Sequence, residues 1–208
     1  MDLDYAAMYP DLGGERKRAY ELAIEWSLEY LALQGLSSMF FCCPEDAAML
    51  PHCIRAMCRA GHQIGLHIHT IDAHTTNAMK RRILQDGTKL LEDMTGRAVR
   101  WHRGGMFFLD QATVLALKEL NYAGDSSLVP DRCLKRWVAG EHETGHLEFD
   151  MPMDYRGFPE SPYHILPSFL EIPPSRYCGD FLYPEKMIDA IAQDVNGLSV
   201  IYIHPNPA

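Results

Sequence analysis

The sequence has no apolar run approaching the roughly 20 residues that cross a bilayer, so no transmembrane helix is expected. Nor has it a basic excess. Its 19 Lys and Arg stand against 28 Asp and Glu, a formal charge of −9. That argues against a general nucleic-acid footprint and against docking on anionic lipid, both of which need a basic face, while leaving room for a local basic groove. The six cysteines form no Cys-x-x-Cys pair, so a zinc–thiolate site is not expected and the thiols read as free and mostly buried. Gly-x-Ser-x-Gly, Gly-x-Gly-x-x-Gly and Walker-type loops are all missing, which removes the common serine-hydrolase and nucleotide-binding schemes. The start, Met1-Asp2-Leu3-Asp4-Tyr5, lacks the basic-then-apolar pattern of a secretory signal, so the expected location is cytoplasmic.

What is there is ordinary in bulk: 208 residues, 47% hydrophobic and 23% charged. No repeat, low-complexity tract or linker divides the chain, and one domain over residues 1–208 is expected. Helical and extended patterns alternate. Helices are expected over 15–33, 44–60, 76–94, 111–120 and 183–195, with Pro51 marking a kink or break in the second. Strands are expected over 38–42, 61–70, 99–103, 123–128, 170–172 and 198–204. The proline-rich stretch from Pro130 to Pro174 reads as long loops. Alternation of this kind favours a parallel α/β sheet or barrel.

The most informative stretch is Gly61-His62-Gln63-Ile64-Gly65-Leu66-His67-Ile68-His69-Thr70. Ile64, Leu66 and Ile68 alternate with period two. They share one strand face, and Gly65, His67 and His69 share the other. Two imidazoles two positions apart on one face can close on a single metal ion. Three further clusters fall at expected strand ends, where α/β folds gather their active sites. Asp2 and Asp4, at i and i+2 on an extended segment, point the same way. Arg103, beside Gly104 and Gly105, can approach a carboxylate and hold it ionised. His204, at the end of Ile201-Tyr202-Ile203-His204-Pro205, suits proton transfer near neutral pH.

Taken in order, these motifs resemble those of the polysaccharide deacetylase family, the nodulation-type chitooligosaccharide deacetylase homology domain. The acidic pair, the buried Ser38-Met39-Phe40-Phe41 strand, the Gly61–His67 strand, His102-Arg103-Gly104-Gly105 and Ile203-His204-Pro205 carry the resemblance. It implies a distorted (β/α) barrel with seven or so parallel strands and a divalent metal, zinc by preference, at its mouth. By that match Asp2 is the general base, Asp4 and His67 are metal ligands, Arg103 orients the base, and His204 is the general acid. The family's second histidine lies four positions after the first, where Ile71 stands here. His69, on the strand face of His67, is the substitute, and His74 in the following loop is the fallback. Trp101, Tyr155 and Gly104 are candidate substrate contacts. Phe107 and Phe108 read as core.

The implied activity is hydrolysis of an N-acetyl or similar acyl amide on a sugar or related small molecule. Hydrolysis of another non-peptide C–N bond, and a non-catalytic barrel used for binding or assembly, are the alternatives. The expected partner is a small-molecule or oligosaccharide substrate, and oligomerisation is left open. Only Met1 precedes Asp2, and the chain ends four residues after His204, so trimming at both ends is one reading.

Overall fold

A computed structural model describes residues 1–8, 13–129, 158–159, 161–174, 176–177 and 201–202, the last two pairs as backbone only. Its centre is a sheet of seven strands: β1 (Asp2–Leu3), β2 (Met39–Cys42), β3 (Gln63–Ile68), β4 (Trp101–Gly104), β5 (Gly124–Asp125), β6 (Tyr163–Leu166) and β7 (Phe169–Glu171). They lie in the order β1-β2-β3-β4-β5-β7-β6. Every neighbouring pair is parallel except β6 with β7. A separate parallel pair joins β8 (Arg176–Tyr177) to β9 (Ile201–Tyr202). The architecture is the expected α/β one, with a mostly parallel sheet of the distorted (β/α)-barrel class.

The helices between strands are α1 (Tyr5–Met8), α2 (Gly14–Leu33), α3 (Pro44–Met49), α4 (Pro51–Arg59), α5 (Asn77–Thr95) and α6 (Gln111–Glu119). Pro51 breaks the expected helix over 44–60 into α3 and α4, because Leu50 before it leaves helical geometry at φ −125° and ψ 53°. A residue preceding proline is driven from the helical region. Among the described residues no helix is long and apolar enough to cross a membrane.

One face of the sheet is apolar and meets the helices. Leu3, Phe40, Cys42, Leu66 and Ile68 enter the main core cluster with Ile54, Met57, Leu84 and Leu91 from the helices. Gly87 of α5 sits directly against Leu66 and Ile68. The alternation read in the sequence at Ile64, Leu66 and Ile68 is thus the side that packs on helices.

Two expectations fail locally. The strand over 123–128 shrinks to Gly124–Asp125, because the Asp125 side chain captures the Ser127 N–H at 2.7 Å and turns the chain, as short acidic side chains do in turns. The proline-rich stretch is not all loop, since 163–171 folds as the β6–β7 hairpin. Pro162 and Pro167 flank β6 rather than interrupt it, where they cost no ladder bond. The expected helix over 183–195 and most of the strand over 198–204 lie outside the described residues.

Two caps secure the outer helices. Thr76 accepts from the Met79 N–H at the start of α5. Asp110 accepts from the Thr113 N–H at 2.8 Å at the start of α6, and its other oxygen takes the buried Lys80 ammonium of α5. Asp110 therefore both ends a loop and neutralises a buried charge. Thr76→Ala should cost about 1 kcal/mol. Asp110→Ala should cost about 3 kcal/mol or more, since Lys80 is left uncompensated. Urea unfolding measures both, and equal losses would contradict this account.

Candidate active site

The opposite face of the same strands is polar and converges at their carboxyl ends. Cross-strand register sets this face. Asp2 lies beside Phe41, Phe41 beside Gly65, and His67 beside Arg103. Since side chains alternate, Asp4, Cys43 and His69, each two positions on from one of these residues, continue the same face at the mouth.

The donors come together there. His69 Nε2 lies 3.1 Å from Asp4 Oδ2, and His67 Nε2 lies 3.7 Å from the same oxygen. The rings of His67 and His69 meet edge-on at 4.7 Å between centroids. His67 Nδ1–H donates to the Arg103 carbonyl at 2.8 Å. A carbonyl only accepts, so Nδ1 carries a proton and Nε2 is the atom turned to the carboxylates; in the neutral ring its lone pair is then the one available to a metal. Burial works against charging His67, but Asp2 and Asp4 outweigh it and the net shift of its pKa is upward. Ligand atoms of Cys43, His67 and His69 also lie within 4.8 Å of one another.

Arg103 organises the floor of the site. It is 1% exposed. Its Nη1 donates to Asp2 Oδ1 at 2.7 Å, Nε to the Ser126 carbonyl at 2.8 Å, and Nη2 to Ser126 Oγ at 2.8 Å. Ser126 Oγ in turn donates to the Ile172 carbonyl at 2.7 Å. The guanidinium lies over the Phe41 ring, 4.3 Å from its centroid. Gly65 makes room for that ring, because a Cβ there would stand 2.6 Å from Phe41 Cδ1. With Oδ1 held by arginine, the buried Asp2 Oδ2 has no hydrogen-bond partner among the described residues, and it faces His67 Nε2 at 3.9 Å. An unpaired buried carboxylate oxygen is costly, and here it faces the imidazole of His67. Asp4, His67 and His69 are side chains that could hold a divalent cation here.

The remaining candidates are placed as follows. His74 is exposed in the Asp72–Thr75 turn, outside the converging donors. Trp101 stands at the amino-terminal end of β4, where it lines a cavity of about 390 Å³ with His62, Arg97 and Arg100. It is thus at the other end of the strand from the donors, away from the mouth where a substrate contact was expected. Gly104 is buried and its N–H already donates to Ser127 Oγ at 2.8 Å. Phe107 and Phe108 are core. Tyr155 and His204 lie outside the described residues.

Sequence reasoning missed Cys43, which it grouped with the inert thiols. The signal was present: adjacent Cys42 and Cys43 must face opposite sides of the strand. Cys42 joins the apolar core. Cys43 is equally buried, and burial first, then Asp46 and Asp4, pushes its thiol pKa up. A second buried polar group crosses the helix-facing side, where His102 Nδ1 bonds Asp125 Oδ2 at 2.5 Å and Glu171 accepts from the Leu128 N–H at 2.9 Å. Burial and then the Asp125 charge raise the Glu171 pKa well above its ordinary value.

Two outcomes follow from this geometry. A Cβ on Gly105 would stand 2.6 Å from His69 Cα and Cγ, so Gly105→Ala should displace the His69 ring. Zinc affinity by calorimetric titration should then fall while the circular dichroism spectrum is kept; unchanged affinity would contradict the placement of His69. Glu171 binds its proton more readily folded than unfolded. Its stabilising contribution is therefore full below the unfolded value of about 4.3 and is lost as pH rises toward the folded value. Glu171→Gln should flatten that decline in urea-unfolding midpoints, and an unaltered pH profile would contradict it.

The polysaccharide deacetylase family model matches residues 21–124. That span contains His67, His69 and Arg103, and excludes Asp2, Asp4 and His204. No curated protein shows significant similarity to the chain. Among solved structures, a Mycobacterium smegmatis protein taken to be a polysaccharide deacetylase superposes with TM-score 0.69 at 22% identity, over 99% of this chain and 74% of its own. A CE4 family pseudoenzyme from Bacillus anthracis superposes with TM-score 0.56 at 15% identity, over 91% and 62%. An allantoinase superposes with TM-score 0.54 at 19% identity, over 75% and 45%. The chain thus spans less than two thirds of the second and third of these neighbours, and identities this low speak for a common fold alone. With the family model covering half of its length and the fold shared throughout, the chain belongs to the polysaccharide deacetylase family.

Proposed function

We propose that the chain is one catalytic domain that removes an N-acetyl or similar acyl group from a sugar, with a divalent metal, zinc by preference, held by Asp4, His67 and His69. The observation that carries this reading is Asp2 Oδ2, without a hydrogen-bond partner among the described residues, held by Arg103 through Oδ1 and 3.9 Å from His67 Nε2. When bound, such an ion would polarise the acyl carbonyl and lower the pKa of a water toward about 7.

The chain's own groups then do the proton work. Asp2 Oδ2 accepts the proton of the attacking water. Arg103 fixes the Asp2 rotamer, which matters because a general base must sit within hydrogen-bond reach of the proton it takes. The Arg103 carbonyl, through His67 Nδ1–H, holds the imidazole plane. By the motif resemblance, His204 as imidazolium protonates the leaving amine. Amides need that step, because an amide anion is a very poor leaving group. Acid–base help of this kind is worth roughly 10²–10⁴-fold.

The family favours a sugar acetamide as substrate. Two observations support a second reading, a non-catalytic barrel: the likeness to a pseudoenzyme, and Ile71 in place of the usual second histidine. The position of His69 beside Asp4 weighs against it. Acetate release from N-acetylated chitooligosaccharides by the zinc-loaded protein tests the two. Asp2→Asn should lower kcat by about 10²–10⁴-fold with zinc content unchanged. Asp4→Asn should lose zinc. A protein that holds one zinc per chain and releases neither acetate nor formate from acylated sugars is the binding module instead.

A further inference from the structure

The proposed metal site has one carboxylate oxygen and two imidazoles, and the described residues place one more donor beside the two imidazoles. Cys43 follows β2 directly, and its N–H donates to the Leu3 carbonyl at 2.8 Å. That bond ties the end of β2 to the end of β1, so Cys43 and Asp4 are held side by side. The register that puts Phe41 on the polar face puts Cys43 there too. Its Sγ and the nearest ring nitrogens of His67 and His69 lie within 4.8 Å of one another. It is 0% exposed, yet it lies outside the apolar cluster that takes Cys42. A thiol buried for packing alone would be expected to join that cluster, as its neighbour does. The second, independent sign of a cation is Asp2, whose Oδ2 is buried, has no hydrogen-bond partner among the described residues, and faces the His67 imidazole.

We propose that Cys43 enters the metal's coordination sphere through Sγ, so that this chain builds a mixed site of Cys43, His67, His69 and Asp4. The inference rests on the metal reading and extends it. On binding, the Sγ–H proton leaves to solvent as the sulfur–metal bond forms. No redox partner is required. A thiolate makes the site softer than oxygen and imidazole alone. It selects zinc, cobalt and cadmium over magnesium and manganese. It also places a second anionic ligand on the ion, which moderates its Lewis acidity.

Cobalt loading of the full chain separates this inference from the metal reading. The wild-type protein should take up one cobalt, seen in its visible ligand-field bands, together with a near-ultraviolet thiolate-to-cobalt charge-transfer band. Cys43→Ser should keep the ligand-field bands and lose the charge-transfer band. Cys42→Ser should keep both. A variant with Cys53, Cys58, Cys133 and Cys178 all changed to serine should also keep both, which preserves the test if Cys43→Ser does not fold. X-ray absorption of the zinc-loaded wild type should show one sulfur at about 2.3 Å. Cobalt bound without the charge-transfer band, or a band that survives Cys43→Ser, overturns the role of Cys43 and leaves the metal site standing. A wild-type chain that binds no cobalt, or binds it equally well as His67→Ala, overturns both.

Discussion

The buried ion pair between Arg103 and Asp2 is the constraint on which the rest of the site depends. Both side chains are almost wholly out of water. Such a pair survives only when its geometry is good and its remaining hydrogen-bonding groups are satisfied, and breaking it by removing one partner costs about 3–5 kcal/mol. The arginine meets the condition with the Ser126 carbonyl and hydroxyl and with the Phe41 ring beneath it. Asp2 does not, because one of its oxygens has no hydrogen-bond partner among the described residues. The imbalance is local and directional, and it points at His67.

Much of the chain serves to hold that imbalance in place. Gly65 gives up a side chain so that Phe41 can lie under the arginine, and Gly105 gives up another so that His69 can reach Asp4. The Arg103 backbone fixes the His67 ring while the Arg103 side chain fixes Asp2. One residue thus positions both a candidate base and a candidate ligand. Folds of this class serve unrelated chemistries, and the likeness to an allantoinase and to a pseudoenzyme at comparable superposition illustrates it. Function therefore resides in these contacts rather than in the barrel.

The period-two pattern of β3 makes its helix-facing and mouth-facing sides legible in the amino-acid sequence itself. It correctly puts Leu66 and Ile68 against helices and sets His67 and His69 on one face. The motif order makes the family legible as well. Other features are not legible because they depend on tertiary contacts. Nothing in the local sequence says that the Asp125 side chain ends β5 after two residues, or that a hairpin forms among prolines at 163–171. The position of Trp101 follows from strand polarity, a signal the sequence does carry, but its motif neighbours draw it toward the site. Cys43 is legible in parity alone, a signal that is lost when cysteines are read only for Cys-x-x-Cys pairs.

The central claim is that one divalent cation sits among Asp4, His67 and His69, beside the unpaired oxygen of Asp2. Anomalous scattering from a crystal of the zinc-loaded chain tests it most directly. The account predicts a single strong zinc peak bounded by those three side chains, about 2.0–2.2 Å from the imidazole nitrogens and the Asp4 oxygen. A fully loaded protein whose zinc peak lies elsewhere, with Asp2 Oδ2 still unpaired, would contradict it.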